Sequence, residues 1–335
     1  MLSAKPLMAI ALIYAFSPPP LLPGADVKSS GDVPNTIAAP IAAPDVEKVI
    51  DECSKEISKN PRNAKAYGRR GVAYGEKGLR EMAIADLSEA IRLNGNDLCA
   101  RYNRGCEYER KGDIDKAIAD FAESVRLRPD SAGSHAALGS MYTWKGDLDK
   151  GIAELDEAIR LDPKSSLAFL DRAIAYGKKG EREKEIADYS EAIRLDPKSS
   201  IAYFNRGNTF AEKHETERAI ADFTEAIRLD PTKAEAYRNR GVQFSEAGDA
   251  PRACNDFDRA IRLNSKDAFS YVGRGRLHYE RGLYDKAIAD CSDALRIDPK
   301  LAEAYYGRSL AYGQKGDKTR SEADLRRARE LGYKP

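Results

Sequence analysis

The chain has 335 residues, 33 % of them charged and 42 % hydrophobic, and its 55 basic and 54 acidic residues leave a net charge of +1. A balance this even excludes long-range attraction to nucleic acid or to anionic membranes as the basis of function. The five cysteines show no CxxC or Cys/His spacing suited to zinc, and an odd number leaves at least one unpaired.

The N-terminus differs from everything after it. Leu7–Phe16, "LMAIALIYAF", is ten apolar residues without a break. A bilayer span needs about 20, so this stretch reads as the apolar region of a secretory signal peptide. Residues 1–25 are therefore expected to export the chain to a periplasmic or extracellular space, with no membrane span left after removal. An uncleaved N-terminal anchor is the alternative, because Pro23 makes the text ending at Ala25 a poor cleavage site. Residues 26–45, "DVKSSGDVPNTIAAPIAAPD", show neither a helical nor a strand period and read as a Pro/Ala-rich linker.

From Ala64 onward a 34-residue period runs through eight units, starting at Ala64, Leu98, Ala132, Ser166, Ser200, Ala234, Ala268 and Ala302. Stepping by 34 from Gly71 meets only small residues: Gly105, Gly139, Ala173, Gly207, Gly241, Gly275 and Ser309. An aromatic or His278 follows three residues after each, and a second small series runs from Ala90 to Ala328. Each unit reads as two helices, since apolar residues recur at three- and four-residue steps. Glycines such as Gly112 and Gly180 separate the two helices, and Asp-Pro closes most second helices. Six of the eight residues that precede a unit can N-cap it: Asn63, Asp97, Ser131, Ser165, Ser199 and Asp267. Residues 46–63 match a second helix alone, with Cys53 and Pro61 in register, and read as a leading half-repeat. An Arg in seven units and an Asp in seven second helices suggest ion pairs within or between units; the third unit has Leu138 and Glu154 instead.

A 34-residue helix–turn–helix with aromatic, small, Tyr, Ala and Pro residues in this order resembles the tetratricopeptide repeat over residues 64–335. The resemblance implies an all-α fold, a right-handed superhelical α-solenoid of helix–turn–helix repeats, stabilised by neighbour interfaces. In the last unit Glu322 and Arg329 stand where earlier units have mostly Ile, so this unit is expected to act as a solvated cap. The resemblance further implies that first helices line a concave groove which holds a segment of a partner protein.

Mapped position by position, that groove is expected to present Tyr102, Trp144, Leu170, Ile174, Phe204, Asn205, Asn208, Arg238, Asn239 and Arg276. Trp144 and Phe204 are the expected anchors, with Asn205 and Asn239 holding a bound backbone. The basic residues of the family's carboxylate clamp are missing: the matching positions in units five to seven are Phe204, Asn208, Asn239, Phe269 and Gly273. His135, His214 and His278 read as substitutions inside the scaffold. No nucleotide-binding, metalloprotease or serine-hydrolase motif occurs. The expectation is a non-enzymatic adaptor for a protein or peptide partner, without cofactor or metal; the sequence leaves the oligomeric state open and favours a monomer. Self-assembly and, more remotely, helical-repeat RNA binding are the alternatives.

Overall fold

The computed structural model describes residues 43–334; the expected export signal and most of the linker lie outside the described residues. The described chain holds seventeen α-helices and no strand. It divides into two compact units, 43–197 and 198–334. The first holds α1 (Ala43–Lys59) and four hairpins: α2 (Ala64–Glu76) with α3 (Arg80–Leu93), α4 (Leu98–Lys111) with α5 (Ile114–Leu127), α6 (Ala132–Lys145) with α7 (Leu148–Leu161), and α8 (Ser166–Lys179) with α9 (Arg182–Leu195). The second holds α10 (Ser200–Glu212) with α11 (Thr216–Leu229), α12 (Ala234–Glu246) with α13 (Ala250–Leu263), α14 (Ala268–Glu280) with α15 (Tyr284–Ile297), and α16 (Ala302–Gln314) with α17 (Lys318–Glu330). Within each unit successive hairpins stack as an α-solenoid, each second helix packing on the next first helix. At the start of the first unit, Val46, Ile50 and Cys53 of α1 are buried, and Val46 and Ile50 share a core with Ala73, Tyr74 and Leu87.

Helix ends follow local chemistry. Asn63, Asp97, Ser131, Ser165 and Ser199 each accept a hydrogen bond from a first-turn backbone N–H. Asp267 does not cap its helix. Its carboxylate instead accepts from Ser270 Oγ at 2.6 Å and from Arg238 at 3.1 Å, stronger competitors than a backbone amide. Between the two helices of a hairpin, a glycine takes a positive φ of 74–93° in every hairpin but the fifth. There His214 adopts φ 58°, where a Cβ crowds the backbone.

The two helices of a hairpin approach closely at the small-residue series. A Cβ on Gly105 would lie 2.7 Å from Phe121, and one on Gly207 would lie 2.9 Å from Phe223. Over this contact lies a guanidinium latch. Arg70, Arg104, Arg172, Arg206, Arg240, Arg274 and Arg308 each donate two bonds of 2.6–3.2 Å to the aspartate sixteen residues on. The seven aspartates are 4–8 % exposed. From Arg70, Arg104, Arg172, Arg240, Arg274 and Arg308, Nη1 also reaches back sixteen residues to the preceding second helix, at 2.6–3.1 Å from Ser54, Ser88, Asp156, Thr224, Asp258 or Ser292. Aromatic rings flank the guanidinium, as Tyr67 and Tyr74 do Arg70 and as Tyr237 and Phe244 do Arg240, at 5.6–5.8 Å. The ion pairs expected from the sequence thus run both within a hairpin and on to the one before it.

The third hairpin is built differently. Leu138 replaces the Arg and joins Phe121, Ala122, Val125 and Met141 in an apolar cluster. Glu154, in the aspartate's place, meets His135 Nδ1 at 2.7 Å, and His135 Nε2 meets the Pro129 carbonyl at 3.0 Å. At the far end of the second unit Tyr333 stacks on Tyr306 at 4.4 Å, and Glu322 and Arg329 of α17 are exposed.

Two outcomes follow for stability. Relieving the left-handed strain by His214→Gly should raise stability by about 1 kcal/mol in urea unfolding, whereas Gly248→Ala should lower it by a similar amount. Removing one latch partner leaves a buried charge alone, so Asp256→Ala should cost about 3–5 kcal/mol. The apolar double variant Arg240→Met/Asp256→Leu, made on the pattern of the third hairpin, should cost markedly less in the same assay.

Candidate binding groove

The first helices of the repeats carry the residues that do not repeat, and each unit uses them differently. In the first unit, α4, α6 and α8 contribute Tyr102, Trp144 and Ile174, all half-buried. The Tyr102 ring lies 5.4 Å from Phe121, and burial pushes its hydroxyl far above the ordinary tyrosine range. Lys178 Nζ stands 5.0 Å over the Trp144 ring and donates to the Thr143 carbonyl at 3.1 Å, with burial lowering its own proton affinity. Leu170 departs from expectation. It is 3 % exposed, so it fills the packing beneath the surface and offers nothing to a ligand.

In the second unit, Phe204 is half-buried with its ring 5.9 Å from Phe223 and Lys233 Nζ 4.5 Å above it. The polar residues expected there are engaged with one another. Asn239 is 7 % exposed, donates to Asn208 Oδ1 at 2.8 Å and accepts from Arg238 Nε at 3.2 Å. Arg238 is further held by Asp267, and Arg276 by Ser245 at 2.8 Å and Glu280 at 3.2 Å. Asn239 is therefore a brace between α10 and α12 and not a ligand for a bound backbone. Asn205 remains half-buried on the face of α10. Of the expected set, then, Tyr102, Trp144 and Ile174 gather in one unit and Phe204 and Asn205 in the other.

Two further residues at groove-lining positions of the repeat, Glu109 and Asp171, stand apart electrostatically. Asp171 of α8 accepts a short hydrogen bond from Ser140 of α6, and burial raises its pKa to about 6. Glu109 of α4 is raised to about 7, first by burial and then by the charge of Asp171; Arg110 pulls the other way. Neither forms an ion pair among the described residues. Arg110 is bound to the buried Glu107 instead, and Lys178 to Trp144 and Thr143. Cys106 of α4, in the field of Glu109, has its thiol pushed up to about 12, first by burial, and is inert. The repeat register puts both residues on first-helix faces, but no motif marks the influence of one carboxyl on the other.

His135 and His278 are tied to Glu154 and Asp290, and no group of three His, Cys, Asp or Glu residues that could hold a metal occurs among the described residues. No helix among the described residues is long and apolar enough to cross a membrane.

Fold and surface together define a helical-hairpin repeat scaffold whose interfaces are constant and whose first-helix faces are individual. Tetratricopeptide repeat profiles match residues 64–97, 102–166, 168–199, 200–233, 275–316 and 302–331. The chain belongs to the tetratricopeptide repeat family, whose members generally mediate protein–protein interactions. Among solved structures it is similar to a tetratricopeptide repeat protein from Parabacteroides merdae, at 21 % identity and TM-score 0.54 over 70 % of this chain and 93 % of that one. It is also similar to Pseudomonas aeruginosa pilF, at 19 % identity and TM-score 0.54 over 60 % and 91 % of the two chains. A chain in the Cut9–Hcn1 hetero-tetramer of the APC/C aligns at 16 % identity and TM-score 0.59, over 79 % of this chain and 52 % of that one. At these identities the likeness is one of fold. No curated protein matches the sequence.

The raised carboxyl gives a signed expectation. Folded Glu109 keeps its proton up to about pH 7, whereas an unfolded glutamate releases it near pH 4.3 or so. The folded state therefore binds more protons in that window, and stability falls as pH rises through it. Glu109→Gln should melt higher than wild type by roughly 2–4 °C at about pH 8 and at the same temperature at about pH 4, as read by calorimetry.

Proposed function

We propose that the protein is a non-enzymatic adaptor that binds a peptide segment of a partner protein along the first helices of its repeats, and that residues 1–25 direct its export. The observation that carries this reading is the pair of half-buried aromatics, Trp144 and Phe204, that stand on first helices under the lysines Lys178 and Lys233. Large aromatic side chains left partly open to solvent are what binding hot spots are made of. The hairpin interfaces, by contrast, spend their polar groups on one another, so the scaffold needs no ligand to be complete. The family's general role in protein–protein interaction supports the same reading.

The test uses the full chain and a random-sequence dodecapeptide library. Trp144 is the only tryptophan, so its emission reports on its own surroundings. Selected peptides should shift that emission or lose about tenfold or more in affinity on Phe204→Ala, with helicity unchanged by circular dichroism. Peptides that bind equally well to wild type, Trp144→Ala and Phe204→Ala would overturn the groove. A stable homo-oligomer in light scattering, with Trp144 shielded from quenchers, would favour self-assembly instead.

A further inference from the structure

Successive first helices are bridged by residues thirty-one apart in sequence. Ser140 of α6 donates to Asp171 of α8, Asn239 of α12 to Asn208 of α10, and Arg276 of α14 to Ser245 of α12. Each pair closes part of the seam between two first helices. One repeat beyond Asn208 and Asn239, the corresponding pair is Val242 and Gly273. Neither can bridge, since valine has no polar group and glycine no side chain. Here the seam between α12 and α14 opens into a cavity of about 360 Å³, which includes the solvent at its mouth. Phe257 of α13 closes the bottom. Its ring lies so near Gly273 that a Cβ there would stand 2.6 Å from it, so only glycine leaves room for the ring under the seam.

Floor and rim differ in character. Val242, Val272 and Phe257 line the floor and keep only 6, 3 and 1 % of their surface exposed, which makes the opening narrow. Ser245, Glu246 and Arg276 are more exposed and form the rim. The rim groups are held in place without a ligand. Arg276 is fixed by Ser245 at 2.8 Å and by Glu280 at 3.2 Å, and the sealed Gln243 donates to Glu246 at 2.9 Å. One cation and one anion leave the lining neutral.

Resting on the groove reading above, we propose that this cavity is a specificity pocket of the second unit for one aliphatic residue of a bound segment, a valine, leucine, isoleucine or methionine. Its side chain enters over Phe257 between Val242 and Val272, and its backbone lies across the rim. The floor gains from an alkyl side chain and rejects a charged or amide one, which would leave its hydration behind. The narrow opening rejects a bulky ring. The rim matches the polarity of a peptide unit. The Arg276 guanidinium has more N–H donors than Ser245 and Glu280 take up, and suits the carbonyl. The Glu246 carboxylate has an oxygen beyond the one that Gln243 occupies, and suits the N–H. A lining with balanced charge gives neither an acidic nor a basic side chain an electrostatic advantage.

The experiment is selection of peptides from a random dodecapeptide library on the full chain, on Trp144→Ala, on Phe204→Ala and on two Val242 variants that alter the floor and leave the rim. Wild type should enrich one position in Val, Leu, Ile or Met, and replacing that residue of a selected peptide by Ala should weaken binding about 10–100-fold. Val242→Leu narrows the cavity and should weaken the same peptides about tenfold, with helicity unchanged by circular dichroism. Val242→Ala widens it and should shift the enriched residue toward bulkier side chains such as Phe; this variant decides the matter if the narrowed one folds poorly. Peptides weakened by Trp144→Ala or Phe204→Ala but enriched at no aliphatic position, or bound alike by wild type and the Val242 variants, would overturn the pocket and leave the groove standing. Peptides indifferent to all four substitutions, or no selected peptide at all, would overturn both.

Discussion

One side chain, the arginine seven residues into the repeat, organises the rest. Its planar guanidinium closes a hairpin by gripping the aspartate on the second helix, and with its remaining nitrogen it ties that hairpin to the one before. The aromatic residues of the repeat are the walls of this latch, and the small residue beside the arginine lets the two helices come close enough for it to close. Three sequence signatures that look separate are thus one object. Where the arginine is absent, in the third hairpin, Leu138 fills the space with apolar contact and His135 satisfies the displaced carboxylate. The exchange is of the kind expected when a buried ion pair is replaced wholesale and not half-removed.

Function begins where that pairing stops. On the faces of the first helices the second unit still pairs its groups, with Asn239, Arg238 and Arg276 bracing neighbouring helices. In the first unit Glu109 and Asp171 form no ion pair among the described residues, and Tyr102 and Trp144 are half-buried. The two faces are chemically distinct although the hairpins beneath them are nearly interchangeable. A repeat protein can afford this because burial between repeats, which sets stability, uses other positions than the groove.

The period, the helix pairs and the latch were all legible in the sequence, because each rests on contacts that recur at fixed spacing. What the sequence concealed was depth and partnership. Leu170 and Ile174 look alike on a helical wheel, yet one is sealed and the other half-open, since a four-residue offset changes which neighbour covers a side chain. Arg238 and Arg276 were expected to face the groove, yet Arg238 is held by Asp267 and Arg276 by Ser245, twenty-nine and thirty-one residues away in sequence. Asp267 read as a cap and is instead the partner of Arg238. Nothing in a linear text says that the charge of Asp171 acts on Glu109, sixty-two residues away.

The two reaches of the arginine, sixteen residues forward and sixteen back, have a bearing on descent. A gene that gains or loses one whole copy keeps every latch in register, whereas an insertion of a few codons between arginine and aspartate would break the one it interrupts and strand a buried charge. Recombination between near-identical segments such as the two that encode "EAIRLDPKSS" produces the first kind of change and not the second. The array can therefore lengthen or shorten in single steps without refolding anew. Each added copy arrives with its scaffold finished and with groove positions free to drift toward a new ligand.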